Sequence, residues 1–327
     1  MPPDPGETGD EFLAALEDVA GGPDLAAAWE ELSSGYRAGR PTPAGAALSD
    51  RHARAYAAGR GPATFAAVAA ALGALAARRP GWAPASLLDL GAGPGVATWA
   101  AAGAFPGLAA ATLVERAPAM ARLGRALAAG GAPPVVRGAR WVEGDATRPP
   151  GRADLVVAAY VLGELDERAV PGAVAAWWAA AGAELVIVDA GTPAGFARVR
   201  AARDALVAAG ATLTAPCPDD GPCPMAGGDW CHFAVRLHRP PALRGLKRAA
   251  LGYEDEKFAY VAASRGAPAH AAARVLRHPQ ARAGHVRLTL CRGGACETLV
   301  VPRSRRDAYR WARHARWGDA VPPEALA

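Results

Sequence analysis

The pattern of apolar and polar positions changes character near residue 85. Upstream, "DEFLAALEDVA" (10–20) and "ATFAAVAAALGALAARR" (63–79) repeat apolar residues at three- and four-residue spacing. This predicts helices through residues 1–80, interrupted by "RPTPAG". From Ser86 short apolar runs take over: "SLLDL" (86–90), "ATLVE" (111–115), "ARWVEGD" (139–145), "DLVVAAY" (154–160) and "AELVIVD" (183–189). Ala-rich helical stretches such as Ala117–Ala129 and Val170–Ala181 separate them. Strands alternating with helices predict an α/β fold with a doubly wound parallel sheet. A helix near Gly195–Ala209 leads into a loop, followed by strands at "CHFAVRL" (231–237) and "FAYVAASR" (258–265). Beyond it, "RVLRHP", "HVRLTLC" and "ETLVVPRS" read as a small antiparallel unit, and "AYRWARHARWGD" as a closing helix. The expected division is a helical extension (1–83), an α/β domain (84–265) that includes a cysteine loop at 215–232, and a basic β-rich extension (266–327).

Composition sharpens this picture. At 327 residues the chain suits one α/β domain with extensions, and its 51% hydrophobic content, much of it alanine, is ample for a core. Only Lys247 and Lys257 are lysines, so arginine abundance reflects a compositional bias and isolated Arg clusters carry little weight. No apolar run reaches membrane-spanning length without interruption, and "MPPDPGETGDEF" is acidic, unlike a signal or transit peptide. The expectation is a cytoplasmic protein without a membrane partner, whose clustered cysteines are metal ligands or catalytic groups rather than disulfides. The net charge of +5 is uneven: eighteen Lys and Arg face five acids between Arg236 and Arg316. Such a region suits a phosphate-backbone partner, the competing explanation being a solvated arginine-rich surface.

Chemistry concentrates in two places. In "LLDLGAGPGVATWAA", Asp89 ends a strand, and Gly91, Gly93 and Gly95 allow a tight turn that brings backbone N–H groups to a ligand at a helix N-terminus. Glu115 ends the next strand, where a carboxylate can take both ribose hydroxyls, and Asp145 is placed to reach an adenine amine. Together these residues resemble the S-adenosylmethionine site of class I methyltransferases. A plain βα junction with Asp89 and Glu115 as helix caps is the simpler alternative. The segment after the fourth strand reads "AAYVLGEL" and lacks the Pro-Pro-aromatic signature of base N-methylation. Tyr160 could stack a base there and Glu164 could take a proton, or the two could simply pack and cap.

The second place is "CPDDGPCPMAGGDWCHF" (217–233), three cysteines spaced C-x5-C-x7-C, with Cys291 and Cys296 downstream. The spacing fits poorly to zinc, which pairs ligands as C-x2-4-C, although His232 or His238 could complete such a site. Cys-Pro pairs and wide loops are commoner around iron–sulfur clusters, with Cys291 as fourth thiolate and Cys296 in reserve. Pro222–Cys223 also offers a Pro-Cys nucleophile for covalent RNA chemistry, but it follows the fifth strand rather than the fourth.

In order along the chain, "YAAGRGPATFAAVAAAL", "DWCHFAVRLHR", "LKRAALGYEDEKFAYVAASR", "RVLRHPQARAGHVRLTLC" and "ARWGD" resemble the methyltransferase-like proteins of the mitochondrial small ribosomal subunit and their bacterial relatives. The resemblance implies a class I S-adenosylmethionine-dependent methyltransferase fold of seven strands. It implies action on or near small-subunit ribosomal RNA during ribosome assembly. It also implies a [4Fe–4S] cluster on Cys217, Cys223, Cys231 and Cys291, zinc being the alternative metal. Arg244, Lys247, Arg248, Arg303, Arg305 and Arg306 are the candidate RNA contacts. A non-catalytic rRNA-binding assembly factor and a small-molecule methyltransferase are the competing functions.

Overall fold

The computed structural model describes residues 6–19, 23–37, 48–225, 228–239, 241–247 and 249–326. Three helices come first: α1 (Gly6–Val19), α2 (Pro23–Arg37) and the 29-residue α3 (Asp50–Arg78), whose start is capped by the Ser49 hydroxyl accepting from His52 N–H. By length and composition α3 could cross a bilayer, but its alanines pack against α1, α2, α4 and the sheet. Its small residues permit that packing: a Cβ on Gly59 would fall 2.2 Å from the Trp29 ring.

The α/β core then runs β1 (Ser86–Leu90), α4 (Val96–Ala104), β2 (Ala110–Glu115), α5 (Pro118–Ala128), α6 (Pro134–Arg137), β3 (Arg140–Glu143) and β4 (Ala153–Ala159). It continues with α7 (Val170–Ala180), β5 (Ala181–Ala190), α8 (Pro193–Ala208), β6 (Thr212–Ala215), β7 (Phe233–His238), α9 (Pro241–Lys247) and β8 (Tyr253–Ser264). The sheet order is β3-β2-β1-β4-β5-β8-β6, parallel through β5, with β8 antiparallel to both β5 and β6. This is the class I methyltransferase arrangement expected from the sequence. β4 and β5 are buried on both faces, which is why they read as unbroken apolar runs. Helices α3, α4 and α5 pack with one face of the sheet, α7 and α8 with the other.

Among the described residues the sheet has the seven strands of the expected order and one more beside them. The extra strand, β7, pairs residue for residue with the first half of β8, Phe233 opposite Phe258 and His238 opposite Tyr253. The second half of β8 pairs with β6, so the cysteine loop runs from β6 to β7 across the middle of β8.

The remaining chain forms β9 (Ala273–Val275), β10 (Gln280–Arg282), β11 (His285–Arg292), β12 (Ala295–Pro302), α10 (Arg306–His314), β13 (Ala320–Val321) and α11 (Pro323–Leu326). These strands build a second, antiparallel sheet with its own apolar core beneath α10.

Candidate functional site: a glycine-turn pocket and a cysteine cavity

The glycine turn is built as its sequence requires. Gly91, Gly93 and Gly95 all have positive φ, +68°, +54° and +85°, a region costly for any residue with a Cβ. Gly91 and Ala92 N–H groups donate to the Val114 carbonyl at 2.9 and 3.0 Å, fastening the turn to β2. Glu115 takes Gly93 N–H on one oxygen at 2.8 Å and Ala117 N–H on the other at 2.7 Å. Its carboxylate therefore braces the turn and the start of α5.

A pocket opens beside this turn. Asp89, Gly91 and Gly93 line it from one side, Tyr56 and Thr64 of α3 from another, and Tyr160 at the end of β4 closes it. Asp89 is buried, accepts a 2.8 Å hydrogen bond from the Thr98 hydroxyl, and has its pKa pushed up to about 7 by burial. Apart from Gly93 and its chain neighbours, no protein atom lies within 4 Å of where a Gly93 Cβ would stand, so the turn offers bare backbone to a ligand. Asp145 lies on the exposed turn after β3, outside the pocket lining, and accepts Thr147 N–H at 2.8 Å, which holds its carboxyl below the usual range.

Tyr160 is the one non-glycine residue with positive φ (+60°) among the described residues, a strained geometry that tends to mark functional sites. Its hydroxyl donates to Glu256 of β8 at 2.8 Å. Glu256 also receives both terminal nitrogens of Arg60 from α3, at 2.8 and 3.3 Å, and the guanidinium lies 5.7 Å from the Tyr160 ring centroid. Burial and the adjacent Glu256 raise the Tyr160 phenol well above its ordinary range. Glu164 stands on a short 3-10 turn, half-exposed, in a 3.2 Å ion pair with Arg116. Neither candidate catalytic residue is thus a free base.

The cysteine cavity lies on the other side of β8. Ala259, Tyr260 and Val261 form part of its lining, and Cys217, Cys223, Cys231 and Cys291 all contribute to its wall. Loop and second sheet meet here: β11 delivers Cys291, sixty residues after Cys231. All five cysteines are free thiols. Burial pushes the Cys291 thiol up to about 12 and the Cys231 thiol well above its ordinary range, with the neighbouring thiols adding to both. Cys296 is Cys291's cross-strand partner but is exposed, 4.0 Å from the Met225 sulfur and outside the cavity lining. Among the described residues, no three His, Cys, Asp or Glu side chains stand close enough to share one metal ion.

The two histidines considered as zinc partners have other places. His232 is buried, stacked on Trp230 at 5.0 Å and edge-on to Trp317 at 4.9 Å, so it joins "DWCHF" to "ARWGD". His238 is exposed at the far end of β7, five residues beyond Phe233 and roughly 17 Å along the strand.

Of the candidate RNA contacts, Arg303 and Arg306 are exposed, Arg305 is half-buried and Arg244 is exposed beside the Ala250 carbonyl. Arg248 lies outside the described residues. Lys247 differs from expectation: its ammonium is largely buried and bonds both oxygens of Glu254, at 2.7 and 2.8 Å. The acids of "GYEDEKF" are fully engaged, Glu254 also with Arg239, Asp255 with Arg236 and Glu256 with Arg60.

The sequence profile of the family described as mitochondrial small ribosomal subunit Rsm22 matches residues 50–322. The chain belongs to the Rsm22 family. It is 34% identical over 278 residues to the human ribosome assembly protein METTL17, mitochondrial, covering 79% of this chain and 60% of that protein. It is 26% identical over 289 residues to the Rsm22-cox11 tandem protein 2, mitochondrial, of Schizosaccharomyces pombe, covering 73% of this chain and 38% of the relative. This Rsm22-family chain therefore spans only part of the length of the curated relatives it matches. Among solved structures it is similar to the magnesium protoporphyrin IX methyltransferase of Synechocystis with bound S-adenosylmethionine, at 12% identity and a TM-score of 0.40, over 62% of this chain and 80% of that one. The relatives are mitochondrial by name, which overturns the cytoplasmic location expected from the sequence and points to the mitochondrion. That expectation rested on the lack of an uninterrupted membrane-spanning apolar run and on one acidic stretch, and neither reports the compartment in which a family works.

Proposed function

We propose that this chain is a methyltransferase-like ribosome assembly protein. It would bind S-adenosylmethionine beside the glycine turn, hold a four-thiolate iron–sulfur cluster in the cysteine cavity, and contact small-subunit ribosomal RNA through its basic C-terminal extension. The observation that carries the reading is the pocket itself: a three-glycine positive-φ turn, a buried Asp89 and a wall from α3. The family description and the human relative's name support the ribosomal part.

S-adenosylmethionine, when bound, supplies a sulfonium methyl group. Asp89 would hold the cationic end of the ligand, the bare Gly93 backbone would let it approach, and Glu115 would keep the turn in shape. For the cluster, four thiols around one cavity match the donor set, one thiolate per iron. Zinc would need the sulfurs drawn to about 2.3 Å from a single ion. Two buried arginines in the same lining, each with an N–H that has no partner, supply the complementary positive charge.

A second reading, assembly without methyl transfer, is favoured by the locked Tyr160. A hydroxyl that donates to a carboxylate already paired with Arg60 is not available to take a proton from a methyl acceptor. The test of both readings uses labelled S-adenosylmethionine with immature small subunits and with purified small-subunit rRNA. Saturable cofactor binding and label in the RNA support a methyltransferase; binding without transfer supports the assembly reading; no cofactor binding overturns the site.

A further inference from the structure

Of the three arginines that line the cysteine cavity, two are buried, Arg203 from α8 and Arg274 from β9, while Arg200 is half-buried and donates to the Met225 carbonyl at 3.1 Å. The exposures of Arg203 and Arg274 are 5% and 3%, so both charges are withdrawn from water. Arg203 gives one terminal nitrogen to Asp204 at 2.7 Å and the other to the Gly221 carbonyl, leaving its Nε–H without a partner. Arg274 donates from Nε to the Pro216 carbonyl at 2.6 Å and from Nη1 to the Gly318 carbonyl at 2.8 Å, leaving Nη2 without one. The one carboxylate among these partners, Asp204, is 53% exposed, whereas Arg274 meets only carbonyls.

A buried guanidinium without a counterion is costly, and so is a buried N–H without an acceptor. Neutral thiols relieve neither cost. Four thiolates on an anionic cluster relieve both, because sulfur accepts hydrogen bonds and the group carries the opposite charge.

We infer that Arg203 and Arg274 are positioning residues for the cluster, donating Nε–H and Nη2–H to its sulfurs and raising its reduction potential. The inference rests on the iron–sulfur reading above. Net charge and hydrogen bonds to sulfur are among the factors that set such potentials. Reduction adds a negative charge, so a nearby cation and an N–H donor stabilise the reduced form more than the oxidised one.

The experiment is a potentiometric titration of the full chain, purified without oxygen, followed by visible absorbance and electron paramagnetic resonance, with iron and acid-labile sulfide measured on each sample. Arg274→Gln is expected to keep its iron and to disfavour the reduced form about tenfold, a shift of about 59 mV to more negative potential for a one-electron couple. Arg203→Gln is expected to shift in the same direction. Wild-type potentials in iron-loaded Gln variants overturn the inference and leave the cluster reading intact. Wild-type protein without iron and sulfide overturns both. If a Gln variant does not fold or loses its iron, Arg274→Lys decides, because it keeps the charge but cannot reach two carbonyls and a sulfur together. A partial negative shift in that variant supports the inference and an unmoved potential overturns it.

Discussion

Arg60 and Glu256 stand 196 residues apart in the chain and meet at 2.8 Å, with the Tyr160 hydroxyl on the same carboxylate oxygen. The "YAAGRGPAT" segment of α3 and the "GYEDEKF" segment of β8 are thereby fastened together beside the glycine-turn pocket. Glu256 is 12% exposed and Arg60 33%, so removing either strands a partly buried charge. Arg60→Ala and Glu256→Gln should each lose about 1–3 kcal/mol in urea unfolding, less than a fully buried pair because water screens the Arg60 side. In a double-mutant cycle the two changes should be non-additive by more than about 0.5 kcal/mol.

If Asp89 holds the cationic ligand as proposed, affinity should depend on pH. Its folded pKa of about 7 exceeds the ordinary 3.8, so between these values the folded chain holds a proton that the unfolded chain has lost. In the ligand-free protein this group's contribution to stability is fully present below about pH 4 and is lost as pH rises to about 7. A cationic ligand favours the ionised carboxylate. Affinity for S-adenosylmethionine, measured by calorimetry, should therefore rise by up to about tenfold per pH unit below pH 7 and level off above. Asp89→Asn should flatten that profile.

Gly93→Ala separates binding from folding. The alanine meets no protein atom but inherits φ +54°, so stability should fall by only about 1–2 kcal/mol. Its methyl group occupies the ligand's approach, and cofactor affinity should fall more than tenfold while circular dichroism stays unchanged.

For the cavity, Cys231→Ser should release iron from anaerobically purified protein and Cys296→Ser should retain it, since only the former lines the wall. Iron-to-protein ratios check this directly. Equal loss from both variants would move the fourth ligand from Cys291 to Cys296.

The basic extension should show itself through salt. Replacing exposed Arg303 and Arg306 by Gln should weaken rRNA binding and flatten the slope of log affinity against log salt by roughly 0.7–0.9 for each phosphate no longer neutralised. Lys247→Gln should lower stability instead, because its ammonium serves Glu254.

The parallel strands and the glycine turn were legible because burial on both faces leaves continuous apolar runs, and positive φ demands glycine. β6, four residues long between a turn and the cysteine loop, offered no periodicity to read. The cysteines could be grouped by spacing, but their convergence on one cavity depends on β11 packing back from the second sheet. Arg203 and Arg274 were hidden in an arginine-rich composition, and only their burial and unpartnered N–H groups set them apart. Glu115 and Lys247 were recognisable as charged, but not as internal braces, because the partners of a side chain are a tertiary property.

The sixty-residue step from Cys231 to Cys291 has a temporal meaning as well as a spatial one. A ribosome making this chain releases the core strands, the glycine turn and three thiols before β11 exists. The fourth thiol of the cavity arrives only with β11, after the whole α/β core has been made. A cluster seated there would therefore have to wait for the second sheet: a chain that stops before residue 291 carries the core strands and three of the cavity's thiols but lacks the fourth.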